Sequence, residues 1–289
     1  MHTFTENLPR RSLLAMLPAL LTACSGVDLL NATVATDTYR RSENLAYGLD
    51  ARQRLDVYQP GAAIGQVPMV VFFYGGSWSS GERRDYRFVG EALASRGIVA
   101  VVADYRLSPA FRYPAFVEDS AGAVRWAFDN AARFGVDDRR IFVMGHSAGA
   151  YNAAMVALDP RWLASVSLSP ARLAGWIGLA GPYDFLPIGD PQTRVAFNWP
   201  DTLPDSQPLA YASKASPPAL LLAPRQDSVV NPQRSTLAMA ERLKSSGVRV
   251  ESELFDGVSH VTLLASMAQV LRSRAPVLER VSGFVQSAG

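Results

Sequence analysis

The sequence predicts one α/β domain, a mostly parallel, twisted central sheet flanked by helices, and three observations predict it. From residue 66 onward, short apolar runs alternate with longer amphipathic stretches, the pattern of strands joined by crossover helices. Most of the runs are rich in Val, Ile, Leu or Phe, as strands covered on both faces should be. The 289 residues are 48% hydrophobic and 19% charged, which suits one large apolar core and excludes disorder as the main state.

Strands are expected over residues 69–74, 98–104, 141–145, 175–180, 219–223 and 248–255. An earlier pair, 40–47 and 53–58, is shorter and more polar and reads as antiparallel edge strands. Helices are expected over 86–96, 114–134, 148–158, 232–246 and 263–286, with Gly97, Gly135 and Gly247 standing where a helix end needs a residue tolerant of positive φ. Residues 181–218 lack periodicity and are rich in proline and aromatics, among them Tyr183, Phe185, Phe197, Trp199 and Tyr211. A stretch of that length inside a compact domain is expected to be functional, here a loop-rich cap over a substrate site.

Composition excludes several classes. The net charge is only +2, with no long run of like charges, so nucleic acid is not an expected partner. One cysteine allows neither an intramolecular disulfide nor a thiolate zinc site, and three histidines, His2, His146 and His260, do not make a histidine-rich metal centre. Neither a metal nor a cofactor is expected.

Residues 10–24 read RRSLLAMLPALLTAC, two arginines, a short apolar run and a small residue before cysteine, the layout of an export signal. The uninterrupted apolar stretch 13–21 is far below the roughly 20 residues that cross a bilayer. Leu21-Thr22-Ala23-Cys24 resembles the lipobox of bacterial lipoproteins. That resemblance implies a signal peptide over 1–23, lipid attachment at Cys24 and a linker over 24–39. It also implies a protein exported to the bacterial cell envelope and anchored there, at the periplasmic face of a membrane. Several acyl chains on one residue would anchor stably where a single chain does not. A plain secretory signal, giving a soluble secreted or periplasmic protein, is the other reading. Arg10-Arg11 with the following Ser-Leu-Leu also resembles a twin-arginine signal.

Gly145-His146-Ser147-Ala148-Gly149 follows the strand RRIFVMG and precedes the helical run AYNAAMVAL. A strand, a sharp turn and a helix are what a G-x-S-x-G nucleophile turn requires, so Ser147 is the expected nucleophile. Its glycines are needed because the serine backbone is strained and its neighbours must leave room for the helix and the substrate.

With GHSAG, the stretches VFFYGGSWSSGER, VVADYRLSPAFRYPAFVEDSAGAVRW, FGVDDRRIFVMG and AGPYDF resemble, in the same order, the α/β-hydrolase superfamily. Within it the chain is similar to esterases akin to hormone-sensitive lipase and the bacterial esterase and feruloyl-esterase-like group. The resemblance covers about residues 40–285, within a domain expected over 40–289. It implies hydrolysis of a small-molecule ester through an acyl-enzyme intermediate.

A serine hydroxyl needs a base to take its proton, and the base needs an anion to hold its tautomer. His2 lies in the expected signal and His146 beside the nucleophile, which leaves His260 in FDGVSHVTLL as base. The acid falls between serine and histidine in this fold. Asp227 directly follows an apolar strand, whereas Asp184, Asp190, Asp201 and Asp205 lie earlier, in or near the cap, and Asp256 is four residues before His260. The resemblance places the acid at Asp227, although Ala223-Pro224 stands where relatives more often carry His-Gly. Backbone donors for the oxyanion are expected from Ala148 and from the Gly75-Gly76-Ser77 loop. Tyr74 replaces the usual histidine before that glycine pair. Trp78, Tyr74, Phe185 and His146 are the expected substrate contacts, fitting small to medium acyl or aryl esters. The same machinery would serve an amide, either an N-formyl aryl amine, since GGSW faintly resembles kynurenine formamidases, or a peptide. A non-catalytic envelope binding protein is the reading from another class.

Overall fold

The computed structural model describes residues 26–62 and 65–287; the expected signal peptide and Cys24 lie outside them. Eight strands form one sheet: β1 (Tyr39–Ala46), β2 (Arg54–Pro60), β3 (Val67–Phe73), β4 (Val99–Ala103), β5 (Val136–His146), β6 (Gly175–Leu179), β7 (Ala219–Pro224) and β8 (Val250–Phe255). Their order across the sheet is β1-β2-β4-β3-β5-β6-β7-β8. Strands β3 to β8 are mutually parallel, and β2 runs antiparallel to both β1 and β4. The shorter, more polar pair is therefore antiparallel as expected, but only β1 is an edge. Four central residues of β2, Leu55 to Tyr58, are buried against its neighbours.

Nine α-helices accompany the sheet among the described residues: α1 (Gly26–Ala32), α2 (Arg87–Ala94), α3 (Ala115–Asn130), α4 (Ala148–Leu158), α5 (Pro160–Ala164), α6 (Pro191–Ala196), α7 (Ala238–Ser245), α8 (His260–Ala265) and α9 (Val277–Ser287). Every residue of α4 is buried, which is why its sequence is apolar all round rather than on one stripe. The expected helix over 232–246 opens with a π turn at Gln233–Leu237 before α7. Gly97, Gly135 and Gly247 do close their helices with positive φ.

Two expectations fail for identifiable reasons. The final segment is not one helix. Pro276 lacks an N–H and disfavours a helical Ala275, so α9 starts only after it, while α8 has already ended at Ala265. Nor is the whole of 24–39 a linker, because α1 docks on the body. Asn31 is buried, its amide donating to the Arg84 and Asp85 carbonyls while its Oδ1 accepts the Phe88 N–H. Leu30 and Val34 pack on the core behind it.

Residues 181–218 hold α6 and two 3-10 turns, Pro204–Ser206 and Pro208–Tyr211. The segment is tied down from below, where Tyr151 of α4 donates to the Ser206 carbonyl at 2.7 Å. Gln207 Oε1 accepts the Phe185 N–H at 2.8 Å. No helix among the described residues is long and apolar enough to cross a membrane.

Candidate active site

The parallel strands end together, and the loops beyond their carboxyl ends carry every residue of interest, as open α/β sheets dispose their sites. Register does the first part of the positioning. Phe73 of β3 pairs with Gly145 of β5, so the loop beginning at Tyr74 runs beside His146 and Ser147. Pro224 of β7 pairs with Phe255 of β8, so the loops bearing Asp227 and His260 leave the sheet side by side.

Ser147 sits between β5 and α4 with φ 54° and ψ −122°. Such a backbone costs on the order of 1–3 kcal/mol and persists only where its surroundings hold it. The Ser147 N–H donates to Leu179 of β6 at 2.9 Å, and its carbonyl receives the Ala150 N–H at 2.9 Å. The two glycines are steric necessities. A Cβ on Gly149 would overlap the Phe73 carbonyl, and one on Gly145 would overlap the Gly149 carbonyl. Ala148 opens α4, so its N–H has no carbonyl one turn back inside the helix and lies at the positive end of the helix dipole.

The facing loop has an unusual backbone. Gly76, Ser77 and Trp78 have φ of 124°, 49° and 55° in succession. A side chain on Gly75 would press on Ser147 Cβ and His146 Nδ1, so only glycine lets this loop approach the nucleophile. The loop is clipped at both ends by Arg52. Its Nη2 donates to Tyr74 Oη at 2.7 Å and to the Gly81 carbonyl at 2.8 Å, and its Nε donates to the Tyr105 carbonyl at 2.8 Å. Asp104, buried and paired with Arg83, accepts from Tyr74 Oη at 2.8 Å.

His260 is the first residue of α8, whose start is fixed by reciprocal hydrogen bonds between Ser259 and Thr262. Its Nδ1 lies 2.7 Å from Asp227 Oδ2, and the Asp227 side chain is inaccessible to solvent. Asp227 Oδ1 accepts the N–H groups of Val229 and Val230 at 2.8 and 3.0 Å. Burial would raise the Asp227 pKa, but the His260 bond and the two backbone donors outweigh it and hold the carboxyl below its ordinary value. An ionised Asp227 accepts a hydrogen bond from Nδ1–H, which leaves Nε2 of His260 unprotonated and able to accept a proton.

His146 has a different part. Burial first, and then the neighbouring His260, lower its pKa to about 3, so the ring is neutral. Its Nε2–H donates to the His260 carbonyl at 2.8 Å, with the two ring centres 4.9 Å apart. It thus ties the nucleophile turn to α8. The unfolded chain takes up this proton near pH 6.5, so between that value and about 3 acid favours unfolding by up to about 1.4 kcal/mol per pH unit. The midpoint of thermal unfolding is expected to fall as pH drops below 6.5, and to fall less steeply in His146→Gln, whose amide keeps a donor. Equal slopes in the two proteins would contradict this.

Two cavities meet at Ser147. The larger, about 430 Å³, is lined by Ser77, Trp78 and Ala148, by Phe185, Ile188 and Thr193 from the cap, and by Val229 and Val230. The smaller, about 270 Å³, is lined by Gly75, Gly76, His146 and His260, with Val27 and Leu30 of α1 and Val261 and Leu264 of α8. Ser77, Ser147 and Val229 border both. Phe185 and Trp78 thus face the larger cavity, though Trp78 does so as part of a packed aromatic cluster with Phe116, Tyr151 and Phe197. Its Nε1 is committed to Asn152 Oδ1 at 2.9 Å. The expectation for Tyr74 is corrected. Its side chain is fully buried, stacked between Tyr86 and Tyr105 with its hydroxyl on Asp104, and lines neither cavity. His146 edges the smaller cavity but spends its Nε2 on the His260 carbonyl. Asn152 was not singled out from sequence, although a lone amide in the apolar run of α4 is a signal that could have found it. Nothing in the sequence pointed to Val27 or Leu30.

The BD-FAE family model matches residues 55–243. The chain is 28% identical over 246 residues to a probable isoprenylcysteine alpha-carbonyl methylesterase, ICMEL1, of Arabidopsis thaliana, covering 78% of this chain and 51% of that protein. It is 28% identical over 226 residues to esterase LipC of Mycobacterium tuberculosis, covering 72% and 56%. The chain thus spans about half the length of these relatives. An esterase structure from Pyrobaculum calidifontis superposes with a TM-score of 0.74 at 25% identity, covering 90% of this chain and 88% of that one.

Proposed function

The chain belongs to the BD-FAE family, and from that premise we propose that it is a serine carboxylesterase working through an acyl-enzyme intermediate. One observation carries the reading. The imidazole of His260, held by Asp227 at 2.7 Å, shares a cavity with a strained serine beneath a positive-φ glycine loop. The relatives named as esterases support the ester as the bond broken.

Ser147 Oγ attacks the acyl carbon as His260 Nε2 takes its proton, and Asp227 stabilises the resulting imidazolium. The N–H of Ala148 and those of the Gly75-Gly76-Ser77 loop receive the oxyanion. The imidazolium then protonates the alkoxide oxygen, the alcohol departs, and water activated by His260 releases the carboxylic acid. A small-molecule ester is the only partner these steps require. The larger cavity, walled by Trp78, Phe185 and Ile188, fits a small to medium acyl or aryl group.

A fluorophosphonate probe tests the nucleophile directly. Attack by Ser147 forms a P–O bond and expels fluoride. One equivalent of adduct mapping to Ser147 by mass spectrometry is the expected result. A folded protein that stays unlabelled would turn the reading toward a non-catalytic binder.

The proposal extends to location. Cys24 is taken as the residue that carries the lipid, putting the enzyme at the bacterial cell envelope. Cys24→Ser, expressed with its own leader, is expected to move from the membrane to the soluble fraction after export. Continued membrane association would reject the anchor.

A further inference from the structure

The two cavities meet at Ser147 but differ in chemistry. In ester cleavage the proton that His260 holds must pass to the leaving oxygen, so the alcohol has to depart past the imidazole. His260 lines the smaller cavity and is absent from the lining of the larger one. The far wall of the smaller cavity is α1, through Val27 and Leu30. We propose that the alcohol portion of the ester occupies the cavity between α1 and α8, and that Val27 and Leu30 determine the size of alcohol accepted. This rests on the esterase reading and assigns its two substrate arms.

The dimensions commit the site to a class of alcohol. At about 270 Å³ it lies just below the roughly 300 Å³ at which ligand pockets usually begin, room for one aromatic ring or a short alkyl chain. Tyr86, Phe88, Val261 and Leu264 surround it, so the group it takes is apolar. Val27 and Leu30 are three apart on one face of a helix, and Asn31 locks that helix to the body through the Arg84 and Asp85 carbonyls. The wall is therefore rigid enough to exclude by size. Both side chains are half-buried on a short terminal helix, so changing them leaves the sheet and the loops from β3, β5, β7 and β8 in place.

The test crosses two ester series with three proteins. Acetates of methyl, butyl, phenyl and 2-naphthyl alcohols vary one arm; p-nitrophenyl acetate, butyrate and octanoate vary the other. Leu30→Ala is expected to raise the ratio of kcat/KM for 2-naphthyl acetate over methyl acetate about tenfold, and Val27→Trp to lower it by a similar factor, since a methylene or more of pocket space is worth about that much. The butyrate-to-acetate ratio is expected to stay within about twofold in both variants. A shift in acyl preference with alcohol preference unmoved would reverse the assignment, and no shift in either series would remove α1 from the site. If the wild-type protein cleaves none of these esters, the esterase reading itself fails, which is a separate result from unmoved ratios in an active enzyme.

Discussion

Ser147→Ala is expected to lower kcat on p-nitrophenyl acetate by on the order of 10⁵-fold, leaving at most the modest rate enhancement that binding and oxyanion donors give alone. The size follows from what is removed. Ser147 borders both cavities and sits on a strained backbone at the direct junction of β5 with α4. Water entering in its place would have to attack without being held in register with His260. Secondary structure and the unfolding transition should be intact, because the backbone at 147 is held by hydrogen bonds to Leu179 and Ala150 rather than by the side chain. Alanine at φ 54° is strained no differently from serine there. Circular dichroism and thermal melts therefore accompany the rate measurement. Hydrolysis that persists within about tenfold in a folded variant would remove Ser147 from the chemistry and return His260 and Asp227 to a structural pair.

How much of this was legible beforehand depends on whether local pattern or distant capture decides a residue's surroundings. The elbow was legible because its requirements are local: an apolar strand, two glycines and a helical run within about twenty residues. The meeting of Asp227 with His260 was legible for a related reason, since both follow strands whose parallel order the alternating pattern already implied. Tyr74 was misread because its position in the motif says nothing of Asp104, thirty residues on, which takes its hydroxyl inward. Helix α1 was missed because seven residues are too few to show a period, and what holds it is Asn31 reaching carbonyls more than fifty residues away. The break before α9 is marked in the sequence by Pro276, but the apolar spacing runs through it and hides the boundary. The inner place of β2 follows from pairing with β4, a long-range contact that its polar flanks concealed.

Asp227→Asn is expected to cost about 10⁴-fold in kcat with KM little changed, for a reason that lies in proton placement. In the native site Oδ1 is committed to the Val229 and Val230 N–H groups, which fixes Oδ2 toward His260 Nδ1. An asparagine that keeps its oxygen on those two donors must turn its NH₂ to the imidazole. Two donors cannot share one bond, so the ring shifts its proton to Nε2 and can no longer accept one from Ser147. The pH dependence of stability should separate this from a mere loss of packing. Because the folded carboxyl titrates below its ordinary value, its stabilising contribution is complete above the unfolded value of about 3.9 and disappears as pH falls through the lower folded value. The wild-type protein should therefore melt higher than Asp227→Asn at pH 7, and the gap should close as pH drops through 4. The acid sensitivity of neutral His146 is present in both proteins, and because Asp227 ranks last among the influences on that ring, most of it cancels in the difference. A gap that stays constant from pH 7 to pH 3, or a variant that retains full turnover, would show that Asp227 does not act as the charged partner of His260.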